Sequence, residues 1–109
     1  MKLNKFFILF ISIILLIPAD HSHAQNYPNK PIKLVVPFPP GGPTDIVARP
    51  LAQMMGDSMK QSVIVENKGG AGGSVAADMV AKSPPDGYTI MMGTVGTHAI
   101  NGSLYRQLP

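Results

Sequence analysis

Short apolar, β-branched runs alternate along this chain with longer segments of mixed apolar and polar residues. The runs at residues 32–36, 62–66 and 88–92 have the length and composition of strands. Helical patterns follow the first two runs, at about residues 43–55 and 75–82. Alternation of this kind predicts right-handed crossovers and a parallel sheet in the order βαβαβ, so the predicted fold class is α/β.

The first helical segment carries large apolar side chains at a spacing that predicts a core-facing side. They are Ile46, Val47, Leu51, Met54 and Met55. Gly56 follows them and fits the left-handed residue that often ends a helix. We therefore expect the helix to end at about Met55, with these side chains packed on the sheet.

Two glycine-rich loops connect the first two strands to their helices. Residues 37–43 read PFPPGGP, and residues 68–74 read KGGAGGS. The first N–H groups of a helix have no internal partner and lie at the positive end of its dipole, while glycines let a ligand approach the backbone. Each loop alone could be only a tight or flexible turn. Two such loops favour an anion site.

A third loop, residues 93–98, follows the third strand and is rich in small and hydroxyl residues. The carboxyl ends of parallel strands share one edge of the sheet, where ligands bind in open α/β folds. The three loops therefore predict a site for a small anion, a carboxylate, held by backbone N–H groups and hydroxyls. Its ionisable candidates are Asp45, Lys68 and His98.

The N-terminal residues have the three regions of a secretory signal peptide. Lys2 and Lys5 precede a 12-residue apolar run at residues 6–17, and Ser22 and Ala24 occupy the −3 and −1 positions of a cleavage site. A helix of that length spans only about 18 Å, whereas a membrane core is about 30 Å thick, so a membrane anchor is disfavoured. We expect residues 1–24 to be removed after Ala24 and residues 25–109 to be exported.

Composition excludes several classes of function. The chain has 109 residues, 45% of them apolar, no cysteine and a net charge of +3. Lack of cysteine excludes disulfides and thiolate metal sites. No basic run interleaves with aromatic residues, so nucleic-acid binding is not supported. We expect neither a metal nor a cofactor.

Three separated motifs carry a family resemblance. PFPPGGPTDIVAR at residues 37–49, VIVENKGGAGGSVAADMVAKSPPDGYTI at residues 63–90 and GTHAINGSLY at residues 96–105 resemble the N-terminal part of the substrate-binding proteins of tripartite tricarboxylate transporters. These form the Bug receptor (TctC-like) family of periplasmic solute receptors. Gly69 departs from the pattern, since many members have proline there.

The resemblance implies a two-domain clamshell receptor of type II periplasmic-binding-protein topology, which is not an enzyme. It implies small carboxylates as ligands, bound mainly through main-chain amides, and the membrane subunits of the transporter as partners. Of the ligand-facing positions that it implies, Phe38 could instead only pack, Asp45 could only complement the helix start, and His98 could be a structural hydrogen bonder. The positions are Phe38, Pro40, Gly41, Gly42, Asp45, Gly70, Ala71, Gly72, Gly73, Ser74, Thr97 and His98.

The sequence ends well before the length of a two-domain receptor. Residues 25–109 would form part of one lobe, and the second wall of a clamshell site would be missing. We expect such a truncated fragment to bind ligand weakly, because one wall leaves the ligand half in water. A non-functional fragment is therefore an alternative interpretation.

Two enzyme classes are weaker alternatives. Gly70 and Gly72 precede a helix as in a dinucleotide-binding fingerprint, but Val75 replaces the third glycine and the acid about 20 residues further on is missing. A hydrolase could use Ser74 and His98. However, the chain has no G-x-S-x-G motif, and no third group can be assigned to orient the histidine.

Overall fold

A parallel sheet of three strands forms the centre of the structure, a computed structural model that describes residues 27–108. The strands are β1 (Ile32–Val36), β2 (Val63–Asn67) and β3 (Thr89–Met91), in the order β2-β1-β3. β1 pairs with β2 from Ile32↔Val63 to Val36↔Asn67. The α/β prediction is confirmed. The predicted signal peptide lies outside the described residues.

Two helices cover the two faces of this sheet. α1 (Pro43–Met59) connects β1 to β2, and α2 (Ser74–Ala81) connects β2 to β3. Because β2 and β3 flank β1 on opposite sides, right-handed crossovers place the helices on opposite faces. Leu34 and Val36 pack with Ala48 and Ala52 of α1 to form the core, and α2 contacts β3 and β1.

The prediction of which side of α1 faces the core is wrong. Asp45, Ala48 and Ala52 are the buried residues of this helix. Of the large apolar side chains that the spacing favoured, Met55 is half-buried and the other four are exposed: Ile46 is 64% exposed and Met54 is 69% exposed. Alanines let the helix backbone lie close to the strands, so the side of the helix that carries small residues packs on the sheet. Apolar spacing identifies an apolar side of a helix but not the surface that covers it.

The end of α1 also differs from the prediction. The helix continues through Gly56 to Met59, and Lys60 adopts the left-handed conformation with φ 55°. A Cβ at Gly56 would lie 3.1 Å from the carbonyl oxygen of Gln61. Gly56 therefore does not end the helix. Its lack of a side chain allows the residues after the helix to pass close to it.

The remaining boundaries are within a residue or two of the predictions. β2 begins and ends one residue later than predicted, so Asn67 belongs to the strand and lies on the same face as α1. A π-helical turn (Gly96–Ile100) and the short helix α3 (Asn101–Leu104) follow β3. Among residues 27–108, no helix is both long and apolar enough to cross a membrane.

Candidate functional site

The three strands end at one edge of the sheet, which we term the carboxyl edge. Residues 37–42, the first loop, follow β1 and lead into α1. Residues 68–73, the second loop, follow β2 and lead into α2. Residues 93–101, the third segment, follow β3. Parallel strand order therefore brings the three predicted binding segments to the same end of the molecule.

Both helices begin at this edge with a glycine as the N-cap residue. Gly42 precedes α1 and Gly73 precedes α2, and neither helix has a side-chain hydrogen bond from its cap. Pro43 occupies the first turn of α1, where its missing N–H costs nothing. The Ser74 N–H donates to the carbonyl oxygen of Ala71, so the donors that the helix starts can present are the later first-turn N–H groups, which have no intrahelical acceptor. Both helix starts also present the positive ends of their dipoles.

The second loop has four consecutive residues with positive φ. The angles are 131° at Gly70, 45° at Ala71, 60° at Gly72 and 90° at Gly73. The N–H of Gly73 donates to the carbonyl oxygen of Gly70 at 2.9 Å, which closes a 3₁₀ turn over Ala71–Gly73. Glycine adopts such angles freely, whereas Ala71 does so at a cost of about 1–2 kcal/mol. Local backbone geometry thus explains the glycines of this loop.

Gly73 is the point at which the three segments meet. A Cβ at Gly73 would lie 2.5 Å from Cγ2 of Thr97 and 3.0 Å from Cβ of Pro37. Both distances are too short for a real side chain to fit without movement of its neighbours. Thr97 belongs to the third segment and Pro37 to the first loop. The absence of a side chain at Gly73 therefore allows these segments to pack together.

Asn101 joins the second loop to the third segment by hydrogen bonds. Its Nδ2 donates to the carbonyl oxygen of Gly72 at 2.9 Å and to Oγ of Ser74 at 3.0 Å. Asn101 and Ser74 are each only 6% exposed. Gly72 also lies close to Tyr105, whose hydroxyl would be 3.0 Å from a Cβ at that position. The second loop is therefore held by close packing and one buried amide.

A charged network holds the first loop instead. The Asp45 carboxylate, which is 3% exposed, accepts hydrogen bonds from the Gly41 N–H at 2.9 Å, from Arg49 Nε at 2.8 Å and from Asn67 Nδ2 at 2.9 Å. Asn67 also donates to the carbonyl oxygen of Phe38 at 3.0 Å. The hydrogen bonds from Arg49, Gly41 and Asn67 lower the pKa of Asp45 to about 2. Asp45 is therefore ionised at neutral pH, and Arg49 compensates its charge.

The third segment places His98 at the surface. Thr97 accepts a hydrogen bond from the Thr94 N–H at 2.9 Å, and its Oγ1 lies 2.8 Å from Nδ1 of His98. Gly93 leaves room for the imidazole, since a Cβ there would lie 2.7 Å from Cε1 of His98. Within residues 27–108, no hydrogen bond joins His98 to Ser74, whose hydroxyl accepts from Asn101. This geometry gives the hydrolase alternative no nucleophile and base in contact.

Lys68 is the remaining ionisable candidate, and it is engaged in an ion pair. Its Nζ lies 3.3 Å from Glu66, which also pairs with Lys33 at 2.8 Å. Hydrogen bonds from Lys33 and Lys68 lower the pKa of Glu66. Within residues 27–108, no group of three or more His, Asp or Glu residues is placed to hold a metal ion.

The predicted site residues all lie in the three segments at the carboxyl edge or in the first turn of the helix that follows one. Asp45, Gly73 and Ser74 are buried; Phe38, Gly42 and Thr97 are half-buried; Pro40, Gly41, Gly70, Ala71, Gly72 and His98 are exposed. Direct ligand contact by any of them stays a prediction. The Gly41 N–H is already bonded to Asp45 in this structure.

Sequence reasoning missed the three side chains that organise this edge. Arg49 lies four residues after Asp45, a helical ion-pair spacing that the sequence displays. Asn67 ends a strand directly before the second loop, which is a weaker signal. Asn101 carries no local signal, because its partners Gly72 and Ser74 lie 29 and 27 residues away.

Comparisons with known proteins agree with this architecture. Residues 47–109 match the family described as "Tripartite tricarboxylate transporter family receptor". A UPF0065 protein of Bordetella pertussis is 45% identical over 98 residues, which is 90% of this chain and 30% of that protein. The chain thus spans about 30% of the length of the curated relatives that it matches.

Two solved structures from Rhodopseudomonas palustris are similar to the described fold. Rpa4515 with adipate is 44% identical, with a TM-score of 0.73, over 75% of this chain and 27% of its own. MatC (Rpa3494) with bound malate is 43% identical, with a TM-score of 0.73, over 75% of this chain and 28% of its own. Together with the family match over more than half of the sequence, they confirm the resemblance: the chain belongs to the tripartite tricarboxylate transporter receptor family.

Proposed function

We propose that this chain forms part of a periplasmic solute receptor that binds small carboxylates at the carboxyl edge of its sheet. One observation carries the proposal: α1 and α2 both begin at this edge, and their N-cap residues, Gly42 and Gly73, have no side chain that could cap the helix. Similar structures have adipate and malate bound, which supports a carboxylate as the ligand class.

The chemistry of the edge suits a carboxylate. Hydrogen bonds to a charged group contribute about 1.5–3 kcal/mol each, and a helix dipole adds about 0.3–1 kcal/mol. The buried charge of Asp45 is compensated by Arg49, so it does not repel an anion strongly. Small-molecule sites typically bury about 70–90% of their ligand. The second wall would come from the region that the relatives have beyond the part matched here.

The test is calorimetric titration of the receptor expressed from its complete reading frame. Adipate and malate are titrated beside adipamide, which has the length of adipate but no charge. We expect saturable binding of a dicarboxylate and at least a tenfold weaker affinity for the diamide. Failure to bind any carboxylate, or equal binding of the diamide, would overturn the proposal.

A matched pair of variants locates the site. Ala71 is exposed in the second loop at φ 45°, a conformation that Asp and Asn tolerate better than most residues. Ala71→Asp places a negative charge before the start of α2, so we expect at least a tenfold loss of carboxylate affinity. Ala71→Asn has the same shape without the charge and should stay within threefold of wild type. Equal effects of both variants would place the ligand elsewhere.

Export and transport complete the proposal. The signal peptide of residues 1–24 delivers the receptor to the periplasm, where the membrane subunits of a tripartite tricarboxylate transporter accept the ligand. Mass spectrometry of the exported protein should show Gln25 as its first residue. Recovery of intact Met1 in the membrane fraction would contradict cleavage after Ala24.

A further inference from the structure

Asn67 lies at the junction of three elements that the proposed site requires. It is the last residue of β2, and its side chain reaches the first loop and two successive turns of α1. Nδ2 donates to the carbonyl oxygen of Phe38 at 3.0 Å and to Oδ1 of Asp45 at 2.9 Å, and Oδ1 accepts from Arg49 Nη2 at 3.1 Å. One amide thus uses both of its donor hydrogens and its acceptor.

These contacts determine the path of the first loop. Asp45 uses its other oxygen to accept from the Gly41 N–H at 2.9 Å. Asn67 therefore holds the loop at two points: directly at Phe38, and through Asp45 at Gly41. Gly41 has φ 81° and no atom within 4 Å of a Cβ position, so packing does not restrain it. The conformation of this loop depends on hydrogen bonds to the Asp45 and Asn67 side chains.

An amide suits this position better than a carboxylate. Asp45 Oδ1 and the Phe38 carbonyl oxygen both need a donor, and two carboxylates at 2.9 Å would repel each other. Arg49 lies on the third side of the Asn67 amide. The ionisable side chains that hydrogen bond to Asn67 are Asp45 and Arg49. Lys68 and Glu66, its neighbours in sequence, pair with each other.

We propose that Asn67 is a positioning residue for ligand binding, which sets the shape of the first loop by holding Phe38 directly and Gly41 through Asp45. The role rests on the proposed carboxylate site, because it concerns the loop that precedes the uncapped start of α1. The Asn67 amide is already used by Phe38, Asp45 and Arg49, so this role requires no contact between Asn67 and the ligand. It acts by reducing the number of conformations that the loop must lose when a ligand binds.

The test compares Asn67→Ala with Val63→Ala in the full-length receptor. Val63 lies on the same strand and face and packs on the core, and its side chain has no polar atom that could join the hydrogen-bond network. Both variants lose side-chain contacts, so both should melt at a lower temperature than wild type. We expect Asn67→Ala to weaken carboxylate binding at least tenfold and Val63→Ala to stay within twofold. Equal affinity losses would reduce Asn67 to a structural residue and overturn the proposal.

A second variant adds a pH readout. Asn67→Asp replaces a donor by an acceptor beside Asp45, and repulsion between the two carboxylates raises the pKa of one of them. At pH 8 we expect binding at least tenfold weaker than wild type. At pH 5 the deficit relative to wild type should shrink, because a protonated carboxyl group can donate to Asp45. Wild-type affinity at pH 8 in this variant would overturn the proposal.

Amide hydrogen exchange provides a readout that needs no ligand. Asn67→Ala should accelerate exchange of the Gly41 N–H at least tenfold, while Val63→Ala leaves it within twofold of wild type. Unchanged exchange at Gly41 in Asn67→Ala would overturn the positioning role. If wild type binds no carboxylate, the proposed function fails, but this measurement still decides whether Asn67 sets the loop.

Discussion

The two glycine loops at the carboxyl edge have the same sequence signature but are stabilised by different forces. The first loop is held by charge and hydrogen bonds, with Asp45 as their centre and open space beside Gly41. The second loop is held mainly by close packing, with Thr97 and Pro37 against Gly73, and by the uncharged buried amide of Asn101. A side chain would therefore meet only backbone strain at Gly41 but both strain and close neighbours at Gly73, although both glycines precede a helix start.

The largest expected effect is the loss of stability on replacing Gly73, compared with the smaller loss on replacing Gly41. Gly73→Ala adds a Cβ that would lie 2.5 Å from Thr97 Cγ2, at φ 90°. Backbone strain of about 1–2 kcal/mol and overpacking of about 1–3 kcal/mol should lower the free energy of unfolding by about 2–5 kcal/mol. Gly41→Ala, at φ 81° with open space, should lose only the strain. Urea unfolding measures both, and equal losses would refute the contrast between the loops.

Asn101→Ala should have the next largest effect. It leaves the Gly72 carbonyl oxygen and the buried Ser74 hydroxyl without their donor, which costs about 1–3 kcal/mol. Ser103→Ala, on the exposed side of the same short helix, is the control and should change stability by less than about 0.5 kcal/mol. Denaturant unfolding measures both. A neutral Asn101→Ala would mean that packing alone holds the second loop.

The difference in acid dependence between wild type and Asp45→Asn should report on the first loop, because the lowered pKa values of Glu66 and Asp86 are common to both proteins. The pKa of Asp45 is lowered from 3.8 to about 2 on folding, so its contribution is complete above about pH 4 and is lost as the pH falls to about 2. Melting temperature should therefore fall more steeply over this range in wild type than in Asp45→Asn. Asn101→Ala should keep the wild-type slope at a lower temperature. Parallel curves for wild type and Asp45→Asn would contradict the role of this carboxylate.

The smallest effect concerns the strain within the second loop. Ala71 has φ 45°, so Ala71→Gly should relieve strain and raise stability by up to about 1 kcal/mol, after the added entropy of the unfolded chain is subtracted. Ala99→Gly, in the π-helical turn, should instead lower stability by about 0.5–1 kcal/mol. Thermal unfolding of both variants measures the sign of each change in stability. Destabilisation by Ala71→Gly would show that the alanine methyl group packs usefully there.

Local pattern predicted the elements well because each depends on neighbours in sequence. β1 has the predicted bounds, α2 ends one residue before the predicted end, and the loops after Val36 and Asn67 lie where the alternation placed them. The same pattern failed for the packing side of α1. Ile46 and Met54 are as apolar as core residues, but contact with the sheet is made by Ala48 and Ala52.

The sequence by itself determined the α/β order, the family and the convergence of three loops at one edge, since strand direction follows from local periodicity and chain connectivity. Only the tertiary structure decided how each loop is held. Asn67 meets Phe38 across 29 residues of sequence, and Asn101 meets Gly72 across the same separation. Contacts of this kind leave little or no local signature, because they exist only once parallel pairing has brought the ends of the strands together.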